Sequence, residues 1–214
     1  MIEIIPAVLE VIEEKYGETI LRLDKTVSLK DNWVHIDFAD NKFVQNLTIE
    51  PEVVSRFPVS FKKEAHLMVS HPNDWIDKLA QTGFERVIFH IESEDNIGNV
   101  IESIKAKGMQ VGLAINMDTP LERIEPFVSK IDTVLVMSIV PGFQGQPFIP
   151  KSLDRVRDIK TKNWSVRVGV DGSVKDVNAK EIAQSGVDFM TVGSFLLKGN
   201  IEENLEKLWE AVNE

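Results

Sequence analysis

Cysteine is absent from this chain of 214 residues. That excludes a disulfide framework, a thiolate nucleophile and sulfur-ligated zinc, so any metal must be held by imidazole and carboxylate groups. Positive charge is also in deficit, with 24 Lys and Arg against 34 Asp and Glu and a formal net charge of -10. A surface of that sign repels nucleic acid and anionic lipid, so neither a nucleic-acid nor a membrane partner is expected. A small anionic substrate stays admissible where backbone amides and helix N-termini hold it locally. The opening stretch MIEIIPAVLEVIEEK lacks both a basic start and a long apolar run. It reads as neither a signal peptide nor a membrane span, which leaves a cytoplasmic location as the expectation. No glycine fingerprint follows the first apolar run, where Ala7-Val8-Leu9-Glu10 stand. A dinucleotide-binding open sheet is disfavoured by that absence. Linkers, low-complexity tracts and composition breaks are missing as well, so residues 1–214 are expected to form one domain.

What is present is an alternation of short β-rich runs with amphipathic stretches. Strands are expected over Glu3 to Ala7, Trp33 to Phe38, Phe61 to Met68, Arg86 to Ile91, Gln110 to Ile115, Thr133 to Ser138, Ser165 to Val170 and Phe189 to Val192. Between them HPNDWIDKLAQTG, NIGNVIESIKAKG, TPLERIEPFVSK, IPKSLDRVRDIK, VNAKEIAQSG and NIEENLEKLWEAV carry apolar residues three and four apart and predict helices. Gly83, Gly108 and Gly186 fall where three of these should end in a left-handed cap. Repeated βα units imply a parallel sheet, and about eight strands in a chain of this length fit a TIM (β/α)8 barrel. A doubly wound open sheet shares the alternation, so the motifs have to separate the two.

Residues two apart on a strand face the same side, so His35 and Asp37 in VHID emerge together at a strand mouth. A structural hydrogen-bonded pair would look the same in sequence. His66, in AHLM, closes the next strand among apolar neighbours; a satisfied core histidine is the alternative, and is the reading taken for His71 and His90. Asp171 ends the seventh run before Gly172-Ser173, where a turn aspartate is the competing explanation. Together, two imidazoles and two carboxylates at three strand ends make a candidate site for zinc, iron, manganese or cobalt. The stretch Pro141 to Pro147 follows strand six, with Gly142, Gln144 and Gly145 around Phe143. It reads as a lid whose glycines permit unusual φ values and whose phenylalanine covers a ligand. Gly172-Ser173 and Gly193-Ser194 fall after strands seven and eight, the usual phosphate corner of such barrels.

With HIDFADNKFVQNLT, HLMVSHP, HIE from His90, MSIVPGFQGQPFIP, VDGS and VGS in this order, the chain resembles the ribulose-phosphate 3-epimerase family over nearly its whole length. The resemblance implies a TIM barrel that interconverts D-ribulose 5-phosphate and D-xylulose 5-phosphate. His35, Asp37, His66 and Asp171 would bind a divalent metal, and Asp37 and Asp171 would act as the acid/base pair on the two faces of the ketose. Met68 and Met137 would pack against the intermediate, with His66, Ala7, the lid and the two glycine-serine pairs also around the substrate. Family members form dimers and larger rings, so a homo-oligomer is implied. The chain departs from the family at Ala7 for serine, Ala39 for methionine, Asn41 for glycine, Gln45 for proline, Glu64 for aspartate, Val140 for asparagine and Gln144 for glycine. An allulose 6-phosphate 3-epimerase would keep the same four ligands. A decarboxylase or synthase of the same barrel would have lysine where Ala39 stands, and a sugar-phosphate-binding barrel without turnover would keep only the pocket.

Overall fold

A computed structural model of the protein describes residues 2–29, 32–143 and 145–213. Eight parallel strands close in sequence order: β1 Glu3–Val8, β2 Trp33–Ala39, β3 Lys62–Met68, β4 Arg86–His90, β5 Gln110–Ile115, β6 Thr133–Met137, β7 Arg167–Asp171 and β8 Phe189–Val192. The last strand returns to the first through Glu3 beside Phe189 and Pro6 beside Val192. This is the TIM (β/α)8 barrel, and it disposes of the open sheet, in which the two edge strands would stay unpaired.

Helices α1 Glu13–Asp24, α2 Pro51–Val54, α3 Asn73–Gln81, α4 Ile97–Ala106, α5 Ser152–Thr161, α6 Asp176–Gln184, α7 Ser194–Leu197 and α8 Ile201–Asn213 complete the chain. Strand alternation divides the apolar residues into two sets. Ile4, Val87 and Phe89 belong to the outer core with α-helical residues such as Ile20, Leu79 and Ile101. Ile5, Ile88, Leu135, Met137 and Phe189 form a separate inner cluster that fills the barrel. Gly83, Gly108 and Gly186 take φ of 75°, 76° and 95°, which is the left-handed geometry expected of the caps.

Several expected boundaries shift. TPLERIEPFVSK does not form an α-helix but two short 3-10 turns, Leu121–Arg123 and Glu125–Lys130. Pro126 lies inside the stretch, lacks an N–H and crowds the carbonyl four residues before it, so the apolar spacing is not enough to carry a helix through. The seventh strand runs over Arg167–Asp171 rather than Ser165 to Val170, because its neighbour begins at Thr133, which registers with Arg167. Phe61, Ile91 and Ser138 fall just outside their strands, whereas Val8 and Ala39 extend theirs. Helices α1, α2 and α7 were not among the expected ones.

Gly169 lies at the point of closest approach inside the barrel: a Cβ there would sit 2.2 Å from Cζ of the Phe189 ring. Gly169→Ala is therefore expected to destabilise the protein by about 1–3 kcal/mol and to lower the midpoint of thermal unfolding by several degrees. An unchanged melting curve would show that the inner packing is looser than described.

Candidate metal and acid/base site

The parallel register assembles the four predicted ligands. His35 and Asp37 project from β2 on one side; Asp37 is the register partner of His66 on β3, and Asp171 ends β7. One donor atom from each of the four lies within 4.8 Å of all the others. His66 Nδ1 is 2.8 Å from Asp37 Oδ1 and 3.8 Å from Asp171 Oδ2. Both imidazoles are fully buried and Asp37 is 7% exposed, so the cluster is shielded from bulk water on all but one side.

One level deeper, a polar ladder crosses three strands. His35 registers with Glu64, and Glu64 with Arg86. Glu64 Oε1 accepts from His35 Nδ1 at 2.6 Å, and its Oε2 accepts from Arg86 Nη1 at 2.6 Å. Arg86 donates through Nε to Gln110 and packs its guanidinium 3.9 Å from the Trp33 ring. In its neutral form, with the one ring proton committed to Glu64, His35 carries a lone pair on Nε2. That atom is buried without a hydrogen-bond partner and sits 3.3 Å from Asp37 Oδ1. Two electron-rich atoms facing each other in a buried place call for a cation, and the two-nitrogen, two-oxygen donor set suits a divalent transition ion. The residues present therefore fit a metal.

The charges are displaced accordingly. Burial opposes ionisation of Asp37, yet hydrogen bonds and charge from His35 and His66 hold its carboxyl far below the usual range. Asp171 moves the other way: burial and the neighbouring Asp37 raise it, against the pull of His35 and His66. Despite burial, the Asp37 and Glu64 carboxylates draw His35 well above an ordinary histidine. Glu64 is held low by His35 and Arg86 in spite of its own burial. Two carboxylates thus share one site with opposite proton affinities.

A cleft of about 570 Å³, partly open to solvent, lies above the cluster. Asp37 and Asp171 line it with Ala7, Met68 and Met137. Gly172-Ser173 and Gly193-Ser194 close one side, and Gly142, Phe143 and Gly145 roof another. Gly142 and Gly145 take φ of 118° and 81°, and Asn46 Nδ2 donates to the Gly142 carbonyl at 2.7 Å, tying the roof to the loop after β2. Gln144 lies outside the described residues. His66 does not line the cleft; it stands behind Asp37. Pro141 of the expected lid borders the cleft too, and Leu9, Ile139, Val174 and Thr191, which were not expected, complete it. Thr191 is the register partner of Asp171 and its hydroxyl donates to Asp171 Oδ1, a relation that only the β7 to β8 register reveals.

Comparison with known proteins places this geometry in context. The sequence profile of the Ribulose-phosphate 3 epimerase family matches residues 3–197. The chain is 38% identical over 177 residues to a ribulose-phosphate 3-epimerase, cytoplasmic isoform, from Oryza sativa subsp. japonica, covering 80% of this chain and 78% of that one. It is 33% identical over 198 residues to a ribulose-phosphate 3-epimerase of Escherichia coli K12, covering 89% and 87%. Among solved structures, 3-hexulose-6-phosphate synthase from Salmonella typhimurium superposes with a TM-score of 0.72 at 16% identity over 99% of both chains. KGPDC from Streptococcus mutans gives 0.74 at 13% identity, covering 100% of this chain and 98% of that one. At such identities these two likenesses concern the fold alone.

Two outcomes follow from the buried charges. Glu64→Gln strands the Arg86 charge in the interior and is expected to cost about 3–5 kcal/mol in urea unfolding, part of which Glu64→Gln combined with Arg86→Met recovers. Because Asp171 and His35 both take up protons more readily than usual, protons compete for the ligand atoms at higher pH than at an ordinary carboxylate site. Affinity for a divalent ion, measured by chelator competition, should fall progressively as pH is lowered. A flat profile would contradict the ligand set.

Proposed function

From the premise that the chain belongs to the ribulose-phosphate 3-epimerase family, isomerases that act on carbohydrates, we propose that it interconverts D-ribulose 5-phosphate and D-xylulose 5-phosphate in a metal-dependent reaction. The observation that carries the mechanism is the Asp37 and Asp171 pair. Two carboxylates from β2 and β7 flank one cleft, one held ionised and the other biased toward its proton. Inversion at a carbon next to a ketone needs that combination: one group takes the proton from one face while the other supplies a proton to the opposite face. In the reverse direction the roles exchange, so each aspartate serves as base for one epimer. Thr191 restricts the Asp171 carboxylate through its hydroxyl.

His35, His66, Asp37 and Asp171 would hold the divalent ion, with zinc, iron, manganese and cobalt all compatible with the donors. When bound, the ion supplies Lewis-acid stabilisation for the negative charge that develops on deprotonation. The rest of the site handles the remaining substrate. Met68 and Met137, both nearly fully buried, present soft apolar surface that keeps water from the reacting carbon. Backbone amides of Gly172-Ser173 and Gly193-Ser194 hold the phosphate, and Phe143 covers the ketose from the roof. The reading treats residues 1–214 as one catalytic domain acting on a small phosphorylated ketose, at work in the cytoplasm like its relative from rice. No helix among the described residues is long and apolar enough to cross a membrane.

The test is proton exchange in heavy water with saturating divalent metal. Wild-type protein should incorporate deuterium at the third carbon of both pentulose phosphates. Asp37→Asn and Asp171→Asn should each slow interconversion by about 10²–10⁴-fold. Each should keep exchange with one epimer only, and the retained epimer should differ between the two variants. Wild-type protein that exchanges neither pentulose phosphate would remove the assignment, and exchange confined to a six-carbon ketose phosphate would move the substrate.

A further inference from the structure

His90 is the one fully buried histidine that the mechanism leaves unused, and both of its ring nitrogens are engaged. Its Nε2 is 3.0 Å from Nε2 of His66, with the two rings stacked at 5.1 Å between centroids and 27° between planes. Its Nδ1 is 3.2 Å from Glu92 Oε2. Glu92 is fixed from the other side, where its Oε1 accepts from the backbone N–H of Asn116 at 2.9 Å. Phe43 packs against the open edge of His90 at 4.8 Å. The loop carrying Phe43 is pinned by Asp40, whose carboxylate accepts from the amides of Lys42, Phe43 and Ser70.

The proton positions along this chain follow from donor and acceptor rules. Glu92 as a carboxylate can only accept, so the nitrogen of His90 that faces it, Nδ1, carries the hydrogen. A neutral His90 then has its lone pair on Nε2, and the nitrogen of His66 that faces it must be the donor. A neutral His66 is then left with its lone pair on Nδ1, the atom directed at Asp37 and Asp171. A lone pair 2.8 Å from a carboxylate oxygen is tolerated only when a positive charge stands between them. We propose that His90 and Glu92 are positioning residues that lock His66 in the tautomer with a bare Nδ1, so that it presents a ready ligand to a divalent ion. The inference rests on the metal reading above and deepens it. His35 obtains the same service directly from Glu64; His66 obtains it at one remove, through a second imidazole, because its outer nitrogen faces β4. Neither His90 nor Glu92 lines the cleft, so both support a ligand rather than touch the substrate. Orientation of an imidazole ligand through its second nitrogen is worth about 10–100-fold in metal affinity.

Two measurements test it. In the first, cobalt(II) is titrated into wild type, His90→Leu, His90→Gln and Glu92→Gln, with affinity read by chelator competition and geometry by the visible absorption of the bound ion. His90→Leu, which offers no acceptor, should bind cobalt about 10–100-fold more weakly with an altered spectrum. His90→Gln, whose carbonyl can still accept from His66 Nε2, should stay within a few-fold of wild type, and Glu92→Gln should fall between. The second needs no variant of uncertain folding: imidazole 15N shifts of histidine-labelled wild type should show His66 protonated at Nε2 and bare at Nδ1. Equal affinity and spectra for wild type and His90→Leu, or a His66 protonated at Nδ1 alone, overturns the proposal while leaving the epimerase reading intact. Failure of wild type to bind any divalent ion overturns both. Absence of epimerisation combined with the expected cobalt series overturns the substrate reading only.

Discussion

Closure of the sheet is the constraint on which the site depends. In an open sheet β2 and β7 would lie five strands apart; in the barrel only β1 and β8 separate them. The pairing of Glu3 to Pro6 with Phe189 to Val192 therefore does more than complete hydrogen bonds, since it carries Asp171 round to the cluster on β2 and β3. The interior has to be filled for that closure to hold. Phe189 occupies the centre because Gly169 beside it has no side chain, and Ile88 lies similarly against Gly112. The polar groups buried beside this apolar packing, at the ligand level and in the ladder below it, are costly unless each is partnered.

The partnering is where the register shows its effect. Parallel strands in register place a residue beside its neighbour at the same height, so His35, Glu64 and Arg86 become a continuous line of alternating charge-bearing groups although 29 and 22 residues separate them in sequence. A buried line of this kind orients more than it stabilises, since desolvation offsets much of its Coulomb attraction. What it secures is a His35 ring with one nitrogen occupied and the other bare. The outer shell on β3 and β4 acts likewise on His66. When neutral, both imidazoles aim lone pairs at the same carboxylate, an arrangement that a cation between them relieves.

Much of this was readable before any coordinates. The βα alternation gave the parallel sheet and the strand count of a barrel, the motifs separated it from the open sheet, the period of two put His35 and Asp37 on one face, and Gly83, Gly108 and Gly186 marked real helix ends. What stayed hidden has a common physical cause. The partners of Glu64 and Thr191, and the His66 that faces His90, lie on neighbouring strands, and lateral register is not written in any single stretch of chain. His90 reads in sequence as a satisfied core histidine, which its burial and two polar contacts match, while the identity of the His66 partner stays hidden. The failed helix over residues 119–130 has the opposite cause: the local signal was present, and Pro126 outweighed the apolar spacing.

The departures from the family pattern separate by position in the same way. Asn41 stands where the family has glycine and takes φ 58°, a left-handed conformation that asparagine tolerates better than most residues, so the turn is preserved. Glu64 is one methylene longer than aspartate yet still reaches both His35 and Arg86 at 2.6 Å. Val140 and Gln45 border a second, shallower hollow beside Glu92 and not the cleft itself, and Ala39 is buried with its amide donating to the Thr48 hydroxyl. Among the described residues Ala7 alone of the departures lines the cleft, close to Gly193 at the phosphate corner. Among the described residues, the departure that reaches the cleft thus leaves Asp37 and Asp171 in place, and both are bound into the register of the sheet through β2 and β7.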